Sequence, residues 1–280
     1  MITAAANCRL WICALLLPAV GVWAADKDAE KKVVKINKEA AQDHVREELG
    51  VNAYTTPSIE TMLAALRELR PVPYDKVSRP MPEGNPGDRA RLALTTGGII
   101  ADGFLAVAAE KGSGMEPIGR ALLQHAKGLG VGDHVTRHSK GILDRAASKD
   151  WTGVRAELIG AQRDVEGGMM ALKDEEIAHL VALGGWWRGL EIASNIVDQD
   201  YTPQRAALLV QPAVLDYFID RVSTLNPRLK KTKLWETLDA NLRAARELAV
   251  KDDHQPPTAE AVKKLRQLAK ATNEVIATGE

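Results

Sequence analysis

One apolar run constrains the fold of this chain more than any other feature: Glu176 to Val197, EIAHLVALGGWWRGLEIASNIV. At about 22 residues it is too long for an ordinary strand and of normal length for a buried helix. Leu180, Leu183, Trp187 and Leu190 recur at spacings of three and four, so they share one side. Ile177, Val181 and Trp186 cover much of the rest, which predicts a helix enclosed on several sides. From Arg188 onward a polar stripe begins (Arg188, Glu191, Asn195, Asp198). The pattern therefore predicts a helix that is buried at its N-terminal half and surfaces at its C-terminal half. A membrane span needs about 18 or more continuous apolar residues, and His179 and Arg188 interrupt this run.

The segments around it read as helices that wrap it. Arg89 to Lys111 is a second strongly apolar stretch, ended by Gly112-Ser113-Gly114. Pro117 is read as opening a helix to about Lys127, Asp133 as capping one to about Ala147, and Asp150 as capping another from Trp151. The apolar period lapses over Lys173-Asp174-Glu175-Glu176, where a turn with Asp174 as the new cap is favoured over a continuous or kinked helix. Thr202-Pro203, Pro212 and Pro257-Thr258 open later helices, and Asn226-Pro227 breaks the chain. Earlier, Thr56-Pro57 starts a helix running to about Arg70. Residues 71–88, rich in proline and glycine, form an extended strap that Tyr74 and Val77 pin to the main body. No stretch alternates with a two-residue period, so the expected fold is all-α, a bundle of about eight to ten helices. Residues 89–200 form its centre. Residues 25–88 and 201–280 pack around it.

The first 24 residues read as a secretory signal peptide: Arg9, an apolar core from Leu10 to Val22, and small residues at Val22 and Ala24. The expected location is periplasmic or secreted. Both cysteines, Cys8 and Cys13, lie in that segment, so the mature chain would have no thiol for a disulfide, a nucleophile or a zinc site. With 37 Lys+Arg against 37 Asp+Glu the chain lacks the basic excess of a nucleic-acid binder. No nucleophile elbow and no His-Glu-x-x-His pattern occurs.

The candidate functional residues are polar groups in apolar surroundings. Asp102 lies within Ile99-Ile100-Ala-Asp-Gly-Phe-Leu, where a carboxylate needs a partner or a proton; Arg188 is the natural partner, and a narrow solvent-facing strip is the alternative. Trp186, Trp187, Arg188 and Glu191 complete a ligand-binding set, although adjacent helical residues point about 100° apart and both rings cannot face one cleft equally. Glu176 and His179, at i and i+3, resemble half of the metal motif of di-iron carboxylate bundles, but no second Glu-x-x-His occurs. His134 and His138, four apart, have zinc- or copper-clamping spacing, while His138 also falls on the Val135–Ile142 face, where it would simply pack. A divalent metal is thus the one cofactor considered. Paired glycines at 97–98, 167–168 and 184–185 each cost helix propensity, which close helix contact or a ligand cleft would offset. The preferred reading is a non-enzymatic binding protein for a small ligand or protein partner, with a metal-binding bundle as the alternative.

Overall fold

The computed structural model describes residues 59–226, 232–249 and 255–279, all within one compact unit, residues 43–280. The signal-peptide reading and the Thr56-Pro57 helix start lie outside the described residues. All regular structure among the described residues is helical. In order the helices are α1 (Ile59–Glu68), the single turn α2 (Tyr74–Val77), α3 (Arg89–Ala108), α4 (Met115–Leu129), α5 (Gly132–Ala147), α6 (Trp151–Ala171), α7 (Glu175–Gln199), the short α8 (Pro203–Ala207), α9 (Pro212–Thr224), α10 (Lys233–Ala249) and α11 (Ala259–Thr278).

The axis of the fold is α7, packed chiefly against α3 and α11, with α6 and α1 also in contact. The apolar run is thus a central rod, as its all-round hydrophobicity predicts. Its C-terminal half, however, surfaces only in part: Glu191, Asn195 and Asp198 are half-buried and Gln199 is exposed. Arg188 is only 2% exposed, and Ile192, Ala193, Ile196 and Val197 are all buried. The reason is α11, which covers the side on which the polar stripe lies. α3 is long and apolar enough to cross a membrane by length and composition, and 94% of that stretch is buried inside the fold.

Glycine sets how closely α3 and α7 approach. A methyl group at Gly97 would overlap the carbonyl oxygen of Val181, and one at Gly184 would overlap that of Leu94. The two backbones touch at these residues, so the crossing tolerates no side chain. The helix-contact reading of these two pairs holds, whereas Gly167 faces open space.

Local signals mostly place the breaks correctly. Asp150 accepts from the Gly153 N–H and Thr202 from Arg205, each a side-chain cap on a helix N-terminus. Gly130 ends α4 in the left-handed conformation (φ 86°), which stops the helix. Other expectations need correction. α5 begins at Gly132 after Val131, so Asp133 sits in its first turn and is not its cap. α4 begins at Met115, before Pro117. The chain does break at Asp174, but its carboxylate makes no cap bond. It pairs with Arg89 at 2.7 Å, tying the start of α7 to the start of α3.

Candidate functional site

Arg188 carries the densest set of polar contacts in the core. Its Nε donates to Asp102 Oδ1 at 2.7 Å, one Nη to Glu191 Oε2 at 2.8 Å, and the other to the Val77 carbonyl at 2.6 Å. The Asp102–Arg188 pairing anticipated from sequence is therefore present, and Asp102 is only 2% exposed. Burial pulls the Arg188 guanidinium downward, but the charges of Asp102 and Glu191 more than offset this and hold it above its ordinary range. The planar fork suits this position, because it bonds two carboxylates and a carbonyl in three directions at once.

The network extends to both sides. Arg79, in the strap, donates from Nε to the second oxygen of Asp102 at 2.9 Å. Its outer end lies over Gly98, where a methyl group would come within 2.7 Å of the guanidinium. Across the rod, Asn273 of α11 donates from Nδ2 to Glu191 Oε2 at 3.0 Å and to the Trp187 carbonyl at 3.1 Å. Strap, α3, α7 and α11 are thus joined by Arg79, Asp102, Arg188, Glu191 and Asn273. The strap is secured further by Val77, which is buried, and by half-buried Tyr74. Burial, then the Asp102 and Asp75 charges, push the Tyr74 phenol upward.

This network emerges at one edge. A cleft of about 550 Å³ lies between the strap and helices α3, α7 and α11. Glu191, Asn273 and Thr95 contribute to its lining from the core side, with Arg79 and the strap prolines opposite. Arg91 and Lys270 add cations, and Glu83 and Glu274 add carboxylates. Arg91 donates to the Thr278 carbonyl at 3.1 Å, while its buried Nε has no partner among the described residues. The volume falls in the range of small-molecule sites, and the lining is mostly polar and charged, with the strap prolines and Ala277 as its apolar part.

The two tryptophans of the predicted set are not in this cleft. Both are buried, 5.1 Å apart between ring centroids, and Trp186 donates to Gln211 Oε1 at 3.1 Å. Of that set, Glu191 reaches the cleft lining directly, while Asp102 and Arg188 hold it from behind. Sequence reasoning missed Arg79, Arg91, Lys270 and Asn273. Asn273 did leave a signal: it follows Leu265, Ala269 and Thr272 on a face that continues to Ile276, a polar residue at a core position. Arg79 left none beyond the side-chain-free surface of Gly98.

The proposed metal ligands are engaged otherwise. His179 Nδ1 lies 2.7 Å from the Tyr217 hydroxyl. Burial and then Arg221 lower the His179 pKa, and burial raises that of Tyr217, so a protonated phenol and a neutral ring share this bond. That bond engages Nδ1 of the ring. Glu176 and His179 do line one small pocket of about 170 Å³. His138 faces Glu157 at 2.8 Å through Nδ1 and Asp164 at 2.9 Å through Nε2, its ring lying on Gly160. The two carboxylates hold opposite edges of the ring and cannot converge on one ion with it. His134 packs against Gly168 on the same pair of helices. Among the described residues no three His, Asp or Glu side chains form a metal-holding group.

No protein-family model matches the chain, and no curated protein or solved structure matches it.

Proposed function

We propose that this is an exported, non-enzymatic binding protein that takes a small polar solute in the cleft beneath the strap. The observation that carries this reading is the way Glu191 and Asn273 are fixed at the cleft by groups buried behind them. Arg188 is wholly enclosed and holds Glu191, and the Trp187 carbonyl helps hold Asn273. A carboxylate and an amide pre-set in this way lose little freedom when a ligand arrives. Lys270 pairs with Glu274 at 3.7 Å across the rim, and Arg91 and Glu191 add one charge of each sign, so the ligand best matched carries charges of both signs. Small zwitterions such as amino acids and dipeptides have that character. The lining contains no activated nucleophile and no acid–base pair with separated roles, which supports binding over catalysis.

Calorimetric titration of the purified chain with a panel of amino acids and dipeptides tests the reading. Saturable one-to-one binding by at least one member is expected, weakened tenfold or more in Arg91→Ala. The reading fails if no member binds, or if a folded Arg91→Ala protein binds as well as the parent. Export is checked separately by N-terminal sequencing of protein recovered outside the cytoplasm, which is expected to begin at Ala25.

A further inference from the structure

The cleft beneath the strap has two chemically different sides. Arg188 and Asn273 both bind Oε2 of Glu191, at 2.8 Å and 3.0 Å. Oε1 of that carboxylate has no partner among the described residues, and Glu191 lines the cleft. Asn273 also lines the cleft and is only 6% exposed. Its Nδ2 meets three acceptors: Glu191 Oε2, the Trp187 carbonyl at 3.1 Å and the Ala269 carbonyl at 2.9 Å. These surroundings fix which end of the amide is nitrogen, because an oxygen there would face three other oxygens. Oδ1 therefore lies on the opposite side of the amide, without a partner among the described residues. Thr95, equally buried, spends its one hydroxyl hydrogen on the Arg91 carbonyl at 2.8 Å, so its oxygen can only accept.

The inner wall thus offers acceptors, Glu191 Oε1, Asn273 Oδ1 and Thr95 Oγ1, and no free donor. An ammonium group is the complement, since it carries three N–H donors and no acceptor. The donors lie with Arg91. Arg79 is committed to Asp102 and Lys270 to Glu274, whereas Arg91 bonds only the Thr278 carbonyl and has no carboxylate partner among the described residues. Its fork matches a carboxylate. Charge over the described lining balances, with Arg79, Arg91 and Lys270 against Glu83, Glu191 and Glu274. A ligand without net charge preserves that balance. We infer that the cleft reads a free primary ammonium against Glu191 Oε1, Asn273 Oδ1 and Thr95 Oγ1, with the ligand's carboxylate on Arg91. This rests on the binding role proposed above and adds the direction of the ligand and the group it cannot lack.

Calorimetry on the full chain tests the assignment with leucine, diglycine and 6-aminohexanoate, whose ammonium and carboxylate stand at three increasing separations. Each is titrated in four forms: free, with the amino group replaced by hydrogen, N-trimethylated, and as the carboxamide. At least one free probe is expected to bind saturably, one to one. Its deamino form lacks the charge and its N-trimethyl form keeps the charge without any N–H; each should bind at least tenfold more weakly. Its carboxamide should be tenfold weaker in the parent, and Arg91→Ala should bind free and carboxamide forms alike. Glu191→Gln should lower affinity for the free probe tenfold and leave that for the deamino form unchanged. The ligand series needs no variant, so it decides even where Glu191→Gln does not fold. The assignment is overturned if no free probe binds, if the deamino or N-trimethyl form binds as well as the free one, or if folded Arg91→Ala still prefers the free form to the carboxamide. Equal binding of free and deamino forms, lost in Arg91→Ala, would overturn this direction and leave the binding role standing. Silence from every amino acid and dipeptide would end both.

Discussion

Arg188 and His138 are built from the same parts. Each is a nitrogen-bearing side chain held between two carboxylates where helices meet. Arg188 lies between Asp102 of α3 and Glu191 of α7, and His138 of α5 lies between Glu157 and Asp164 of α6. Depth separates them. The Arg188 side chain is 2% exposed and that of His138 15%, while its partner Asp164 is 31% exposed. In the core, water cannot replace a lost partner, and a broken pair leaves a charge in a medium that solvates it poorly. Near the surface, water takes over much of what a missing partner supplied. The comparison teaches that the same contacts hold the fold at one place and only trim it at the other.

Removing the buried cation should therefore have the largest effect. Arg188→Ala is expected to cost about 3–5 kcal/mol in denaturant unfolding, because it leaves buried Asp102 with Arg79 alone and frees the Val77 carbonyl and Glu191 together. The companion Arg188→Met/Asp102→Leu removes both buried charges and should recover much of that loss. If it does not, the pair contributes net stability and the desolvation account is wrong.

The glycine crossing brings Asp102 and Arg188 within reach, and it is next in size. Gly97→Ala should cost about 2–3 kcal/mol, since a backbone carbonyl cannot step aside. Its neighbour provides the contrast. Gly98→Ala meets only the far end of Arg79 and gains helix propensity, so it should stay within about 1 kcal/mol of the parent. Equal losses in the two variants would mean that close contact with the Val181 carbonyl does not govern this crossing.

His138→Gln should cost less, about 1 kcal/mol at neutral pH. Its effect should also depend on pH. The hydrogen bond from His138 is the first cause holding both Glu157 and Asp164 below the usual carboxylate range. Their contribution is fully present above the unfolded carboxylate range and is lost as pH falls through their depressed folded values. Thermal midpoints of parent and variant should thus converge in acid. A gap that persists there would show that His138 acts by packing on Gly160 alone.

The smallest expected signal is metal content. Elemental analysis of the purified chain should find no stoichiometric iron, zinc or copper, because Tyr217 engages Nδ1 of His179 and two carboxylates engage both ring nitrogens of His138. One equivalent of metal that is lost in His179→Ala would reverse this assignment.

The Asp102–Arg188 pair was legible because each of two long apolar helices placed a charge among apolar neighbours, where it needs a partner. The partners of His138 were less so, although Glu157, Gly160 and Asp164 share one face of α6 at helical spacing. A histidine beside apolar neighbours reads as packed until the adjoining helix is rotated into view. Of the cleft, only Glu191 was singled out from sequence. Arg79 and Asn273 stand 23 residues before Asp102 and 82 residues after Glu191 along the chain, and nothing local links them.

By itself the sequence determined the all-helical fold, most of the helix breaks, the central place of the tryptophan-bearing rod and the need for a buried charge pair. These follow from periodicity, from capping chemistry and from the cost of an unpaired carboxylate, all of which act over a few residues or along one helix. Tertiary structure alone decided that α11 covers the rod's polar stripe, that the strap closes over Asp102, and which cations gather around the cleft. Those outcomes depend on how whole helices rotate and cross, and pairing between distant side chains is fixed only once backbone contacts such as Gly97 against Val181 have set the angles.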